Sequence, residues 1–235
     1  MVVGALLALL FIRLGLWQLD RLDERRESNA VIEARSAEQP RALAALIGQI
    51  GMDPAELAFR PAIVEGEYRT DLEFFSIGRT YDDVTGTLVA TPLELSDGSL
   101  LTVIRGLVPA GTQGPPAVGY EPPQGEVSLV GRLDDGEEPS RLGESDPEDG
   151  KLTSLSRLDL EFIDSWIDGD VLPILLLLDE QTPASEPAPV PVPSEALTEG
   201  SHLGYAVQWF AFAAIVVVGV GLLVRRAGTT RDSEV

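Results

Sequence analysis

Cysteine is absent from this chain of 235 residues. That absence excludes disulfides, thiol catalysis, covalent c-type attachment and thiolate zinc or copper sites. Histidine occurs once, at His202, so a multi-histidine metal site and a second histidine base are excluded as well. Methionine occurs only at Met1 and Met52, too few for a Met-rich copper site. Basic side chains are scarce: 17 Lys and Arg stand against 38 Asp and Glu, a net charge of −21. Phosphate backbones are held by clustered Lys and Arg, so this balance argues against nucleic acid as a partner.

Nucleotide and hydrolase signatures are missing too. GTQGPPAVGY (111–120) is a turn-rich loop and no phosphate cradle, and Gly219-Val220-Gly221 follows no strand. Helix packing is the better explanation of those two glycines. The acidic stretch Asp134 to Gly150 has no D-x-D-x-D-G pattern and reads as a solvated loop. A lone histidine beside an apolar run offers no credible Ser-His-Asp set, and no carboxylate pair stands out as acid and base. The expectation is a protein that is not an enzyme.

Long apolar runs are present. Tyr205 to Val224 carries no charged side chain. At about 1.5 Å per residue it spans roughly 30 Å as a helix, the thickness of a bilayer's hydrocarbon core. Lipid offers no partners to backbone N–H and C=O groups, which leaves the helix as its form. Tyr205, Trp209, Phe210 and Phe212 fill the half nearest His202, as an interfacial aromatic belt would. Val2 to Leu19 is a second candidate span, interrupted by Arg13, which can snorkel or face a partner. A cleaved signal peptide fits this stretch less well: no basic segment precedes it and no small-x-small site follows. Its abrupt start points to a true N-terminus upstream.

Two spans make a hairpin with both termini in one compartment. Arg225, Arg226 and Arg231 follow the second span, whereas residues 182–204 before it contain no Lys or Arg. The positive-inside rule then makes the 225–235 tail cytoplasmic. Arg21, Arg25 and Arg26 point the other way for the first span. The second, cleaner span decides. The expected location is a bacterial cell (inner) membrane, with the middle of the chain extracytoplasmic.

Residues 20–50 read as a juxtamembrane helical segment. Leu16, Leu19 and Leu22 share a face, Pro40 ends the pattern, and Arg41 to Ile50 is a second short helix stopped by Gly51. From Pro61 the period becomes two. Strands are expected at 61–68, 72–78, 86–95, 100–109 and 127–133, with a hairpin turn at Ser96-Asp97-Gly98. A short helix is expected over 157–167 and a buried strand at Pro173 to Leu178. Together these give a domain over 60–180. Residues 181–201 hold the Pro-rich stretch PASEPAPVPVP and read as an acidic, extended tether. The fold class expected is a membrane α-helical hairpin enclosing a mainly antiparallel β, α+β domain.

Several blocks then coincide: LGLWQLDR (14–21), RPAIVEGEY (60–68), FFSIGR (74–79), ATPLELSDGSLLTVIRGLVP (90–109), VSLVGRL (127–133) and HLGYAVQWFAFA (202–213). In this order the chain resembles a bacterial-type member of the Surfeit-locus-1 family of cytochrome c oxidase assembly factors. The family's usual V-N-R-G-W-V-P stands here as Val103-Ile104-Arg105-Gly106-Leu107-Val108-Pro109, lacking the Asn and Trp.

The resemblance implies a role in delivering haem a to the catalytic subunit of a haem-copper oxidase, with His202 as the iron ligand. Haem a synthase and membrane lipids are further expected partners. A neutral imidazole is an ordinary haem ligand, and Tyr205 and Trp209 offer apolar surface beside it. Arg13, Arg21 or Arg105 are candidates to pair with propionates. Trp17, Gln18, Arg21 and Gln208 are candidate partner or membrane contacts, Gln208 being expected to bond Gln18, Arg13 or another helix. Two other readings stay open: a docking scaffold that binds no haem, and a membrane-tethered sensor or binding domain with no tie to the oxidase.

Overall fold

The computed structural model describes residues 2–81, 84–137, 152–194 and 196–231. The chain divides into two compact units, a helix pair (Met1–Glu33 with Ala196–Val235) and a sheet domain (Ala34–Glu195).

The helix pair is built from α1 (Val2–Ser36) and α5 (His202–Arg231). Both helices are long and apolar enough to cross a membrane. In α5 only 6% of the most apolar window is buried within the protein, so its apolar surface is not that of a soluble core helix. Contacts run in opposite order along the two helices: Gly4 meets Val220, Gly15 meets Phe210, and Arg26 meets Glu199. The pair is therefore antiparallel.

The sheet domain begins where the end of α1 is tied down. Arg35 Nη1 donates to Ala55 O (2.6 Å), and its Nη2 pairs with Glu56 (3.0 Å). A short strand β1 (Arg41–Ala42) leads into α2 (Leu43–Ile50), ended by Gly51, whose N–H caps Ile47 O. Next comes α3 (Pro54–Leu57), capped by Asp53 and unforeseen because one turn carries no periodicity. The strands follow: β2 (Pro61–Tyr68), β3 (Phe74–Tyr81), β4 (Val84–Glu94), β5 (Leu100–Pro109), β6 (Glu126–Asp134) and the two-residue β7 (Ser154–Leu155). Then α4 (Leu160–Trp166) starts at the Asp159 cap and β8 (Val171–Thr182) closes the domain. Of the acidic stretch 134–150, residues from 138 onward lie outside the described residues, as do 232–235 of the tail.

The eight strands form one sheet in the order β1-β2-β6-β8-β5-β4-β3-β7. An extra pairing of Glu67 and Tyr68 with Glu94 and Leu93 joins β2 to β4 and brings the sheet round on itself. Strands β2, β6, β8, β5 and β4 thus make a small barrel. Gly66 sits at this closure, where a Cβ would run into Glu94 O. Inward residues recur every second position, as barrel strands require: Ala62 and Val64, Val127 and Leu129, Leu172, Ile174 and Leu176. Leu43, Leu46 and Leu57 pack against this core from the short helices. A second core lies outside the barrel wall, where Ile163 within α4 and Ile167 at its C-terminal end cover Leu88, Ile104 and Leu175. With a core on each side, β5 is buried along Leu100 to Val108 and reads as a continuous apolar run.

One expectation is corrected. The sheet is mixed: β5–β8, β1–β2 and β3–β7 are parallel. The crossover through α4 returns the chain to β8 in the direction of β5, which a tight hairpin cannot do.

The Pro-rich segment is extended, as its prolines dictate, but it is no free linker. Val190 exchanges two backbone hydrogen bonds with Leu107, at 2.7 and 2.9 Å. Val192 is buried in the outer core, and Arg132 holds Val192 O (2.7 Å). Gly106, at φ +132°, passes under this strap, and a Cβ there would strike Val190 O.

The geometry of the helix pair is open to a direct test. A Cβ placed on Gly4 lies 3.8 Å from Val220 Cβ, the usual Cβ–Cβ separation of a disulfide. Since the chain has no other thiol, Gly4→Cys with Val220→Cys is expected to oxidise within one chain and migrate faster on non-reducing gels. Gly4→Cys with Leu223→Cys, one turn fragment away, is the control expected to oxidise far more slowly.

Candidate functional site

The helix pair meets along a repeating seam. On α1 it runs Gly4, Ala8, Phe11, Gly15, Gln18 and Leu22, and on α5 His202, Ala206, Trp209, Ala213, Val216 and Val220. Steps of four and three residues make this a heptad seam. Ala8, Gly15, Leu22, Ala206 and Ala213 are buried in it. Small residues at such a seam let the backbones approach closely, which is how helices attract one another where lipid gives no hydrophobic drive. At Gly15 the Phe210 ring fills the missing side chain's place, 2.7 Å from where a Cβ would sit. Phe11 stacks on Trp209, centroids 5.7 Å apart, and meets Phe212 at 5.8 Å.

The seam changes character along its length. Beyond the aromatic layer, His202 Nδ1 lies 2.9 Å from Gln18 Oε1. Further on, Arg25 and Asn29 donate to Thr198 O, and Arg26 forms a two-pronged pair with Glu199 at 2.8 and 3.0 Å. Arg26 holds the Glu199 carboxyl below its ordinary value by a charged hydrogen bond. These contacts fix the turn that leads into α5. Gly200, at φ +67°, stands beside the imidazole, and a Cβ there would be 3.6 Å from Nε2.

Among the described residues no group of three His, Asp or Glu side chains stands ready to hold a metal ion. His202 alone can serve only as an axial ligand to a metal already chelated by something else. Trp17 and Tyr205, next to Gln18 and one turn from His202, are each 49% exposed and present open aromatic surface. Arg21 is exposed and paired only with Glu24 in its own helix, a weak, exchangeable contact. Trp209 instead belongs to the packed aromatic layer.

Other candidates are placed differently. Gln208 is exposed on α5, and Gln18 takes His202 as its partner rather than Gln208. Arg13 is also exposed. Gly219 and Gly221 have no neighbour within 4 Å, so the close helix packing belongs to Gly4 and Gly15. Of the leucine face read from the sequence, Leu22 is buried in the seam while Leu16 is 45% exposed, so the seam shares only part of that face. Phe11, Gly15 and Ala206 were missed because a span apolar all round gives no hydrophobic period; small residues at heptad spacing were the available signal.

Arg105 belongs to the sheet domain and is 2% exposed. Its Nη1 donates to Glu73 Oε2 (3.3 Å), its Nη2 to Tyr120 O (2.7 Å), and its guanidinium lies 5.5 Å from the Tyr68 ring centre. Burial pushes Arg105 below its ordinary value, while Glu73 pulls the other way. Burial also pushes the Tyr68 hydroxyl well above the usual range. Glu73 in turn accepts from Thr91 Oγ1 and Ala117 N, both at 2.6 Å. The group therefore stitches β5 to the 109–120 loop. The cleft beside it, lined by Arg105, Gln181, Ser185 and Pro189, holds about 170 Å³, too little for a tetrapyrrole. Removing Glu73 leaves a buried guanidinium without its counter-charge. Glu73→Ala in the full chain is expected to lower stability by about 3–5 kcal/mol, read as a shift in the urea midpoint.

Comparison with known proteins bears on the whole chain. Residues 5–214 match the model of the SURF1 family. A SURF1-like protein of Monosiga brevicollis is 27% identical over an alignment 246 positions long, covering 93% of this chain and 85% of the relative.

Proposed function

The chain belongs to the SURF1 family, and on that premise we propose that it is a non-enzymatic assembly factor for a haem-copper oxidase. In this reading it spans a bacterial cell membrane as a hairpin, both termini cytoplasmic and the sheet domain outside. It binds haem a transiently and passes it to the oxidase catalytic subunit. Haem a synthase is the natural donor.

The observation that carries this reading is the position of His202. It is the only imidazole in the chain, it heads an apolar helix, and it sits at the level where the seam turns from aromatic to charged. The porphyrin brings four of the iron's donors, so one imidazole is enough. Trp17 and Tyr205 would offer the ring apolar surface, and Arg21 could exchange Glu24 for a propionate. A single neutral ligand would hold the iron weakly enough to release it. Arg105 has no part in it, since its guanidinium is buried and engaged elsewhere.

A docking role for the same helices rests on Gln208. Its carboxamide is exposed within an apolar span and has no partner among the described residues, with small Gly204 and Ala211 on the same face. Lipid cannot satisfy it; a polar residue on a helix of the oxidase can.

The test is a visible spectrum, oxidised and reduced, of full-length protein purified in detergent from cells making haem a. Wild type is expected to show haem a bands that are lost or shifted in His202→Ala. Bands unchanged in the variant remove His202 as ligand, and folded wild type without haem leaves docking as the function.

A further inference from the structure

The polar pair at the top of the seam carries more than a contact. A carboxamide oxygen can only accept a hydrogen bond, and Gln18 Oε1 lies 2.9 Å from His202 Nδ1. In this orientation of the carboxamide, Nδ1 carries the proton. A neutral imidazole has one N–H, so the lone pair falls on Nε2. Nε2 is also the nitrogen beside Gly200, where an added Cβ would sit 3.6 Å away and the glycine leaves that space empty. Thr198 and Glu199, which precede this turn, are pinned by Arg25, Asn29 and Arg26, so the ring is presented from a fixed frame.

We propose that Gln18 is a positioning residue that holds His202 as the Nδ1–H tautomer, presenting Nε2 past Gly200 to a chelated metal. The haem part rests on the proposed function; the tautomer does not. Free neutral imidazole side chains favour the opposite tautomer, so the arrangement has to be imposed. A carboxylate at position 18 would impose it as well, but with a net charge that strengthens the ligand. A carboxamide orients the ring without adding a charge beside it, which suits a ligand that must let go. The seam supplies the rigidity: Gly15 and Ala206, each one turn from the pair, bring the backbones close enough for Gln18 to reach.

The chain's single histidine makes the test clean. Full-length protein labelled with ¹⁵N-histidine in detergent gives one pair of ring nitrogen signals, and long-range ¹H–¹⁵N correlations at a pH where the ring is neutral identify the protonated nitrogen. Wild type and Gln18→Glu are expected to show protonated Nδ1, whereas Gln18→Leu reverts to protonated Nε2. Protonated Nε2 in wild type, the result of a carboxamide turned the other way, overturns the proposal. So does protonated Nδ1 in Gln18→Leu. Gln18→Glu also guards against misfolding, because it keeps the acceptor while changing the residue. Haem a titration is a separate arm. Gln18→Leu is expected to bind at least about tenfold more weakly than wild type, and equal binding with an identical spectrum overturns the positioning role. A wild type with the expected tautomer that takes up no haem a sustains the positioning role and refutes the haem reading.

Discussion

Close approach of two helix backbones is the condition on which the rest depends. Gln18 meets His202 because Gly15, Ala206 and the residues above them hold α1 and α5 together. In water an apolar face would drive such pairing by itself. In lipid it cannot, and the attraction must come from dispersion between surfaces that fit. The Phe210 ring laid over Gly15 is that fit in one contact. A side chain at position 15 would part the helices at the level where the polar pair has to form.

The sheet domain solves a different problem by different means. Its barrel is filled by alternating apolar residues and closed at Gly66. Outside it, the buried Arg105–Glu73 pair fastens the 109–120 loop. Buried ion pairs are poor sources of net stability, but they are demanding about geometry. Here that demand fixes where the strap from 188 to 194 can lie, because Gly106, next to Arg105, must pass beneath Val190. Arg105 is thus explained by the fold. Arg21 on the helix pair is instead exposed and paired with Glu24 in its own helix.

Much of this was legible beforehand, and the gaps have physical causes. Stretches at 61–68, 100–109 and 127–133 became strands β2, β5 and β6 with nearly those bounds: β2 and β6 show the alternation of one buried face, and β5 the apolar run of a strand buried on both. Strand direction was not legible, because PILLLL looks the same whether it runs with β5 or against it; the crossover helix decided. The Pro-rich stretch announced its extended form but not its docking, which depends on two backbone bonds to Leu107. His202 stood out by being alone. Its partner Gln18 did not, because a glutamine at the end of a span reads equally well as an interfacial residue. The seam was hidden most thoroughly, since uniform apolarity erases the pattern that marks a face in a soluble helix.

In the proposed function, the chain's working part is its pair of helices, and the sheet domain serves it. The most direct test measures the haem content of oxidase assembled in cells that lack this chain. They would be supplied either with the full protein or with residues 34–195 carried on an unrelated pair of membrane helices. The account predicts full haem content with the first and none of the recovery with the second. Restoration by the domain on foreign helices would contradict it and move the function into the barrel.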